Sequence, residues 1–307
     1  MNQYIIETKN LTKKYGEQIS VDCLNLHVPK GKIYGLLGRN GAGKTTTMKM
    51  LLNLVKPTSG DIILFGEDFR KTDSKTYYRI GSIVETPCFY ENLTAEENLK
   101  ILARLRGQHR KDTVEHALSV VGLGSKSDKA FKDYSLGMKQ RLGIAAAIMH
   151  EPELLILDEP INGLDPIGIL EIRNYLRNLC QENRTTILIS SHLLSEIEQM
   201  ADIIGVMQEG RLIEEIDMDR LHMQNRKYIE FEVSDVNAAA HVLERNFKLS
   251  DYTVAGRHLL RIFGSPDSRS EINKTFVENG ITVSNITVCE EKLEDYFKNM
   301  IGGVGVE

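Results

Sequence analysis

The stretch "GRNGAGKT", residues 38–45, decides the fold of this chain. It fits the G-x-x-x-x-G-K-[ST] pattern of a phosphate-binding loop, in which glycines let backbone N–H groups turn toward phosphate oxygens. An apolar strand at 32–37 precedes the loop, and apolar residues at three- and four-residue spacing predict a helix over 44–55. In this arrangement Lys44 reaches the β- and γ-phosphates and Thr45 offers its hydroxyl to Mg²⁺. The chain has no G-x-G-x-x-G at this point, which disfavours a dinucleotide fingerprint.

A second motif, LLILDEP at 154–160, is an apolar strand that ends in two acids. A phosphate-loop enzyme needs an acid at a strand end to hold Mg²⁺, and Asp158 is the candidate. Glu159 follows it and could orient or deprotonate a water molecule. Acids at strand ends are common, so this prediction depends on the pairing of the motif with Lys44.

The pattern along the rest of the first two thirds predicts an α/β domain. Continuous apolar runs at 154–157 and 186–189 are typical of parallel strands that are buried on both faces. Residues 4–8 and 20–28 alternate as strands do, and residues 92–123 are helical, with Thr94 and Glu97 spaced for a capping box. Further helices are predicted around 167–181 and 193–200. Gly210 separates two apolar runs and predicts a hairpin turn.

The composition changes after Ile216, and the polar stretch 217–226 marks a boundary. We therefore predict a nucleotide-binding domain at 1–220 and a small α+β accessory domain at 227–307. The second domain has a β-α-β-β-α-β order, the ferredoxin-like pattern, followed by a terminal helix at 291–300. No functional site is evident there from the sequence, and a regulatory or dimer-bracing role is a hypothesis.

Composition excludes several function classes. The 307 residues carry a net charge of −5 without blocks of like charge, which gives no electrostatic reason to expect nucleic-acid binding. The four widely spaced cysteines, Cys23, Cys88, Cys180 and Cys289, lack metal-site spacing and are expected to be reduced, mostly packed thiols of a cytosolic protein. No signal peptide and no apolar run of about 20 residues is present. If the protein works at a membrane, we expect another chain to span it.

Four motifs in order, GRNGAGKTTT, DYSLGMKQR, LLILDEPINGLDP and SSHLLSEIE, resemble the ATP-binding subunit of an ABC transporter over about residues 4–216. The resemblance implies a mostly parallel core sheet, an N-terminal antiparallel β subdomain and a helical subdomain at about 86–150. It also implies ATP and Mg²⁺ as ligands. Expected nucleotide contacts, by this resemblance, are Tyr15 stacked on adenine, the loop residues Gly38, Arg39, Asn40, Gly41, Ala42, Gly43, Lys44, Thr45 and Thr46, and Ser135 and Gly137. Expected metal contacts are Thr45, Glu85 and Asp158, and expected catalytic residues are Glu159, His192 and Lys44.

The stretch YSLGMKQR stands where this family has its signature sequence. Ser135 and Gly137 match it, whereas Tyr134, Leu136 and Met138 depart from its commonest form. By the resemblance, the matching residues cap the γ-phosphate of ATP held by the second subunit of a head-to-tail homodimer. Asp165 of GLDP would lie in the loop that communicates across that dimer, and His192 would be the switch histidine near the γ-phosphate.

Glu85, in "SIVETPC" at 82–88, stands where the family normally has glutamine. Glutamate keeps an oxygen that can bind the metal, but it loses the N–H₂ donor and gains a charge. The Glu form resembles the subgroup that exports bacitracin-like and lantibiotic peptides or confers immunity to them, and the C-terminal VENGITV…LEDYF…IGG extends that resemblance. The implied protein is a bacterial ATP-hydrolysing subunit at the cytoplasmic face of the membrane, joined to a separate transmembrane permease.

Other readings remain open from the sequence. The chain could serve another multidrug or small-molecule exporter, because this subunit need never touch the transported molecule. A soluble ABC ATPase that acts on DNA or ribosomes would be expected to carry a second cassette, long insertions or a basic face. A lone phosphate-loop kinase or GTPase would lack DYSLGMKQR. A regulatory module without turnover would not need the acids that follow the LLIL strand.

Overall fold

The computed structural model describes residues 3–71, 74–107, 112–124, 129–224, 227–263 and 268–290. The chain divides into two compact units, Met1–Met218 and Asp219–Glu307. The division falls in the polar stretch at 217–226. A short helix, α8 (Met218–Gln224), occupies part of this stretch, which the sequence pattern left without structure.

A six-stranded sheet forms the centre of the first unit. Its order is β11 (Arg211–Asp217), β10 (Ile203–Gln208), β4 (Ile33–Leu37), β9 (Thr186–Ser191), β8 (Leu154–Asp158) and β7 (Ile80–Ile83). Strands β10 to β7 are parallel, and only the edge strand β11 is antiparallel, through the predicted hairpin at Gly210. Every residue of β4, β8 and β9 is buried, which confirms the parallel-sheet prediction. Because parallel strands end at one edge, the segments that follow β4, β7, β8 and β9 meet there.

A five-stranded antiparallel sheet packs beside this centre and confirms the expected N-terminal β subdomain. Its order is β2 (Gln18–Leu24), β1 (Tyr4–Tyr15), β5 (Ser59–Leu64) and β6 (Glu67–Asp68), and β3 (His27–Pro29) also pairs with β1. The single strand predicted at 20–28 is therefore wrong. Cys23 has a left-handed backbone with φ of 49°, and the extended conformation is interrupted between β2 and β3. The two strands therefore pair with different halves of β1.

The helices of the first unit are α1 (Lys44–Leu51), α2 (Ser74–Tyr77), α3 (Ala95–Leu105), α4 (Asp112–Val120), α5 (Leu136–Ile148), α6 (Pro166–Asn183) and α7 (Leu194–Glu198). The capping box at the start of α3 is confirmed, with Thr94 and Glu97 bonded reciprocally. Helix α1 ends four residues before the predicted limit. Asn53 adopts a left-handed φ of 57°, and the N–H groups of residues 54 and 55 turn back to the Lys49 carbonyl.

The second unit is built on a four-stranded antiparallel sheet in the order β13 (Tyr252–Val254), β14 (Leu259–Phe263), β12 (Lys227–Val233) and β15 (Val283–Glu290). Helix α9 (Val236–Val242) follows β12 and α10 (Arg269–Glu278) follows β14, so the predicted β-α-β-β-α-β order is confirmed. Its core includes Phe231 and Phe276, whose rings meet edge to face. The helix predicted at 291–300 lies outside the described residues.

Two further expectations concern the cysteines and the membrane. All four thiols are free, as expected, but Cys23 and Cys88 are exposed rather than packed. Cys23 lies in the irregular part of β2, and Cys88 lies in the loop after β7, so neither side chain faces the core. Among the described helices, none is both long and apolar enough to cross a bilayer.

A partly buried histidine joins α5 to the core sheet. His150, two residues after α5, directs Nε2 at the carbonyl oxygen of Ile80 on β7, 3.1 Å away. Within the part of the chain that the structure describes, its Nδ1 has no hydrogen-bond partner. Burial lowers the pKa of His150 to about 4, and the positive charge of Arg106 adds to this effect. The imidazole is therefore neutral in the folded protein at neutral pH.

We expect this histidine to make the fold acid-sensitive. In the unfolded chain its pKa is about 6.5, so as pH falls the unfolded state takes up the proton first. The stabilisation is complete above pH 6.5 and is lost as pH falls toward 4. Allowing for partial solvation, the loss should be about 1 to 2 kcal/mol at pH 5. Denaturant unfolding at pH 7.5 and pH 5 should show a steeper loss for the wild type than for His150→Gln. The exposed His116→Gln is the control and should follow the wild type; parallel profiles for all three proteins would contradict the assignment.

Candidate active site

The phosphate loop after β4 (38–45) has an open outer part and a fixed base. Gly41 and Gly43 have φ of 85° and 104°, which only glycine adopts without strain. A Cβ added at Gly41 would meet no atom within 4 Å, whereas one at Gly43 would lie 2.6 Å from the Ser20 carbonyl oxygen. Arg39 and Asn40 are also exposed, as Gly41 is, but Ala42 is buried. The outer backbone of the loop, at 39–41, is therefore exposed, while its base at 42–43 is buried and packs against β2.

Backbone hydrogen bonds hold that base. The N–H of Gly38 donates to the Ser191 carbonyl at the end of β9, and the N–H of Gly210 donates to the Ala42 carbonyl at 3.0 Å. At the start of α1, the Ser20 hydroxyl donates a hydrogen bond to the Thr46 hydroxyl at 2.9 Å. Strand β2 and the β10–β11 turn therefore fix the loop before any ligand arrives.

Lys44 is almost fully buried, and its ammonium lies inside the loop. Its Nζ donates to the carbonyl oxygens of Gly38 at 2.5 Å and Arg39 at 3.3 Å. Its third close contact is the Glu159 carboxylate, at 3.6 Å. A buried cation that is held by these oxygens at the start of a helix, within a glycine-rich loop, suits a polyphosphate. The donor set therefore fits the phosphates of a nucleotide.

Asp158 ends β8 with a buried carboxylate whose hydrogen-bond partners, among the described residues, are two hydroxyl groups. Thr45 donates to it at 2.7 Å and Ser190 at 2.6 Å. Within the described ranges, no lysine, arginine or histidine nitrogen lies within 4 Å of this carboxylate. A buried carboxylate with no cationic partner is costly, and an Asp–Thr oxygen pair is a ligand set that Mg²⁺ uses. The residues present therefore fit a magnesium ion.

Glu159, next along, has a left-handed φ of 48°, which turns its side chain away from that of Asp158. Its N–H donates to the Ser190 hydroxyl, and its carbonyl accepts from Gln140 Nε2 of α5 at 3.3 Å. His192, after β9, places Nδ1 2.9 Å from the Glu159 carboxylate. The structure thus brings together Lys44, Glu159 and His192, the three residues expected to be catalytic.

A cavity of about 210 Å³ opens beside this cluster. Glu159, His192 and Glu196 provide its acidic and basic lining, and Asn162 and Gly163 lie along its side. Burial raises the pKa of Glu196, and the Glu159 charge raises it further, while His192 opposes the change. The cavity is large enough for several water molecules next to the Glu159 carboxylate.

Glu85 follows β7 and has a left-handed φ of 64°. Its carboxylate pairs with the ammonium of Lys49 on α1 and is mostly exposed. The expected contact with the metal thus remains a prediction, since in this structure the side chain is directed to a lysine.

The signature segment packs against the loop that follows Glu159. Ser135 caps α5 by accepting from the Met138 N–H at 3.3 Å. A Cβ at Gly137 would lie 3.1 Å from the Gly163 carbonyl oxygen, so the two segments are in close contact. Asp165 caps α6, and Arg141 of α5 lies 3.6 Å from its carboxylate. Ser135 itself is exposed, beyond the cluster around Lys44.

Tyr15, at the end of β1, exposes 48% of its surface. The Lys13 ammonium lies 4.8 Å from its ring centroid. An aromatic ring with an accessible face can stack on a base, so the adenine contact of Tyr15 stays a prediction.

Sequence reasoning missed several residues at the site: Ser190, Gln140, Lys49 and Glu196. Ser190 is the most informative, because its single hydroxyl joins Asp158 to the backbone of Glu159. The available signal was that Ser190 directly follows the apolar run 186–189, as Asp158 and Glu159 follow the apolar run 154–157. The signal for Lys49 was weaker: it lies four residues after Thr45 and therefore on the same face of the predicted helix.

Comparisons with known proteins agree with this geometry. Residues 21–162 match the ABC transporter family. The chain is 60% identical over 304 residues to a bacitracin transport ATP-binding protein, BcrA, of Enterococcus faecalis, covering 99% of this chain and 98% of that one. It is 46% identical over 215 residues to the lantibiotic transport ATP-binding protein SrtF of Streptococcus pyogenes, covering 70% and 92%. A solved dimeric ATP-binding cassette, MJ0796 with ADP and Pi, shares the fold at a TM-score of 0.64 and 23% identity, covering 69% and 98%.

Proposed function

Because this chain belongs to the ABC transporter ATP-binding family, we propose that it drives an exporter that removes peptide antibiotics, of the bacitracin or lantibiotic kind, from the membrane. The observation that carries the proposal is the 60% identity to a bacitracin transport ATP-binding protein along almost the whole of both chains. The 46% identity to a lantibiotic transport ATP-binding protein supports the same class of cargo.

The chain is an ATPase that binds ATP, as members of its family are. In our mechanism the N–H groups of the loop at 38–45 bind the phosphate oxygens, and Lys44 exchanges the carbonyls of Gly38 and Arg39 for the β- and γ-phosphates. Before nucleotide binds, these carbonyls hold the Lys44 ammonium inside the loop. Positioning and charge stabilisation are the main sources of rate enhancement in phosphoryl transfer.

Glu159 is the proposed general base. Its backbone is fixed on both sides, by Ser190 and Gln140, so the carboxylate lies at a defined place beside the cavity. It orients a water molecule for in-line attack and accepts its proton. Lys44 lies near one oxygen of the Glu159 carboxylate, and His192 bonds to the second. This bond keeps the Glu159 side chain from rotating. Thr45, Asp158 and Glu85 would hold Mg²⁺, which neutralises phosphate charge when bound.

A second copy of the chain completes each site in this proposal. Ser135 and Gly137 stand at the exposed N-terminus of α5, where free N–H groups and the helix dipole favour an anion. We infer that they face the terminal phosphate held by the partner subunit, in a head-to-tail homodimer. Close packing of Gly137 on Gly163 links this segment to the loop that begins at Glu159. Nucleotide binding would close the dimer and hydrolysis would open it.

The proposed partner is a separate transmembrane permease, with this subunit bound to the cytoplasmic face of the membrane. The helical subdomain at about 86–150 would transmit dimer closure to it. Residues 227–307, as an accessory domain, have no assigned chemistry in this mechanism.

We expect cells that carry the chain together with the proposed transmembrane permease to survive higher concentrations of bacitracin or nisin than cells with the permease alone. Lys44→Ala should abolish the protection, because the loop loses its cation, while the protein should still reach the membrane fraction. Minimal inhibitory concentrations of bacitracin, nisin and ethidium measure this. Protection against ethidium alone would instead assign the chain to a multidrug exporter.

A further inference from the structure

Two side chains on one face of α1 reach the edge of the core sheet where the strands end. Thr45 and Lys49 are four residues apart, so they lie one above the other on the helix. Thr45 bonds to Asp158 at 2.7 Å, and Lys49 pairs with Glu85. Since a helix rises about 1.5 Å per residue, the Cα atom of Lys49 lies about 6 Å along the helix axis from that of Thr45.

The backbone of Glu85 nevertheless starts beside the metal ligands. Strands β7 and β8 are parallel neighbours, with Ile83 level with Leu157. Asp158 is the last residue of β8 and Glu85 follows the end of β7 by two residues, so the two acids lie at the same edge of the sheet on neighbouring segments. Neighbouring strands are about 4.8 Å apart. Thr45 and Lys49 contact the two acids from one face of α1, so Asp158 and Glu85 are neighbours at this edge of the sheet.

The charges at this edge are balanced in two separate pairs. Lys44 faces Glu159, and Lys49 faces Glu85, while Asp158 has only hydroxyl partners among the described residues. A divalent cation held at Asp158 would attract the Glu85 carboxylate, which in this structure pairs with Lys49. The ammonium and the divalent cation would then compete for one carboxylate.

We propose that Lys49 is a positioning residue that competes with the bound magnesium ion for Glu85, and so sets the magnesium concentration at which the subunit binds nucleotide tightly. This inference rests on the proposed function, in which Glu85 faces the metal. It explains how the chain accommodates a negative side chain at this position when the site is free of metal: Lys49 neutralises it.

The test measures binding rather than turnover. Affinity for a fluorescent ATP analogue, mant-ATP, is titrated against Mg²⁺ for the wild type and for the variants Lys49→Met, Lys49→Arg, Glu85→Gln and the double variant. An exposed ion pair contributes up to about 1 kcal/mol, so Lys49→Met should lower the half-saturating Mg²⁺ concentration by about two- to fivefold. Lys49→Arg keeps the ion pair and should match the wild type.

Glu85→Gln should raise the Mg²⁺ concentration needed for half-saturation. Adding Lys49→Met to this variant should have little further effect, because the carboxylate that Lys49 pairs with is already absent and only one exposed, solvent-screened charge is lost. Lys100→Met, which breaks the Lys100–Glu96 pair on α3, is the matched control and should leave the titration unchanged. An unchanged or higher Mg²⁺ requirement in Lys49→Met overturns the role of Lys49. If Glu85→Gln also has no effect, the metal-facing role of Glu85 in the proposed function fails as well, whereas an effect of Glu85→Gln alone leaves that function standing.

Discussion

Replacing Glu159 by glutamine should reduce the turnover number for ATP by about a hundredfold or more while leaving ATP binding intact. A positioned general base contributes about 10²- to 10⁴-fold, and an amide cannot accept the proton of the attacking water. The substitution preserves the shape of the side chain, and the backbone stays fixed through Ser190 and Gln140. Phosphate release in single-turnover and steady-state assays measures the loss.

Binding should be retained or improved in this variant for an electrostatic reason. The Glu159 carboxylate lies 3.6 Å from the Lys44 ammonium and competes with the phosphates for it. Removing that charge frees the ammonium, so the variant should accumulate in the nucleotide-bound dimer, visible by size-exclusion chromatography with ATP. The exposed Glu182→Gln on α6 is a control for charge alone and should behave as the wild type. Turnover near the wild-type rate in Glu159→Gln would show that another group is the base.

The sequence was sufficient for those parts of the site that depend on local pattern. The phosphate loop, the acids after the LLIL strand and the buried parallel strands follow from spacing and apolar runs within a few residues. The end of α1 did not follow, because Leu52 and Val55 continue the helical pattern while Asn53 turns the backbone. Apolar periodicity reports the face that is buried and not the conformation that ends a helix.

Contacts between strands were beyond the sequence for a different reason. The hydroxyl of Ser190 reaches Asp158 only because β8 and β9 pair with Asp158 level with Ser190. Likewise, the Lys49–Glu85 pair requires α1, which packs on β8, to reach the segment that follows β7, across 36 residues of chain. A single sequence does not give such register, so it identified the acids but not the groups that hold them. Ser190, Lys44 and Lys49 bind the carboxylates of Asp158, Glu159 and Glu85, respectively, and so orient them.

Gly43→Ala should weaken ATP binding by more than about tenfold, because the loop must move to accommodate one methyl group. A left-handed backbone costs an alanine about 1 to 3 kcal/mol, and 1.4 kcal/mol corresponds to a tenfold change in affinity. The φ of 104° at Gly43 lies outside the region that alanine tolerates, and the new Cβ would lie 2.6 Å from the Ser20 carbonyl oxygen. This oxygen belongs to β2 and cannot rotate away, so the strain must displace the N–H groups that precede Lys44.

The control for this prediction is Gly107→Ala, after α3. Gly107 also has a positive φ, 68°, but an added Cβ there would meet no atom within 4 Å. It therefore carries the backbone strain without the collision and should lower the melting temperature slightly while binding ATP as the wild type does. Affinity measured with mant-ATP, together with thermal unfolding, separates the two effects. If Gly43→Ala binds the nucleotide with wild-type affinity, the loop is not held rigidly by β2, and the preformed cradle on which the mechanism depends is wrong.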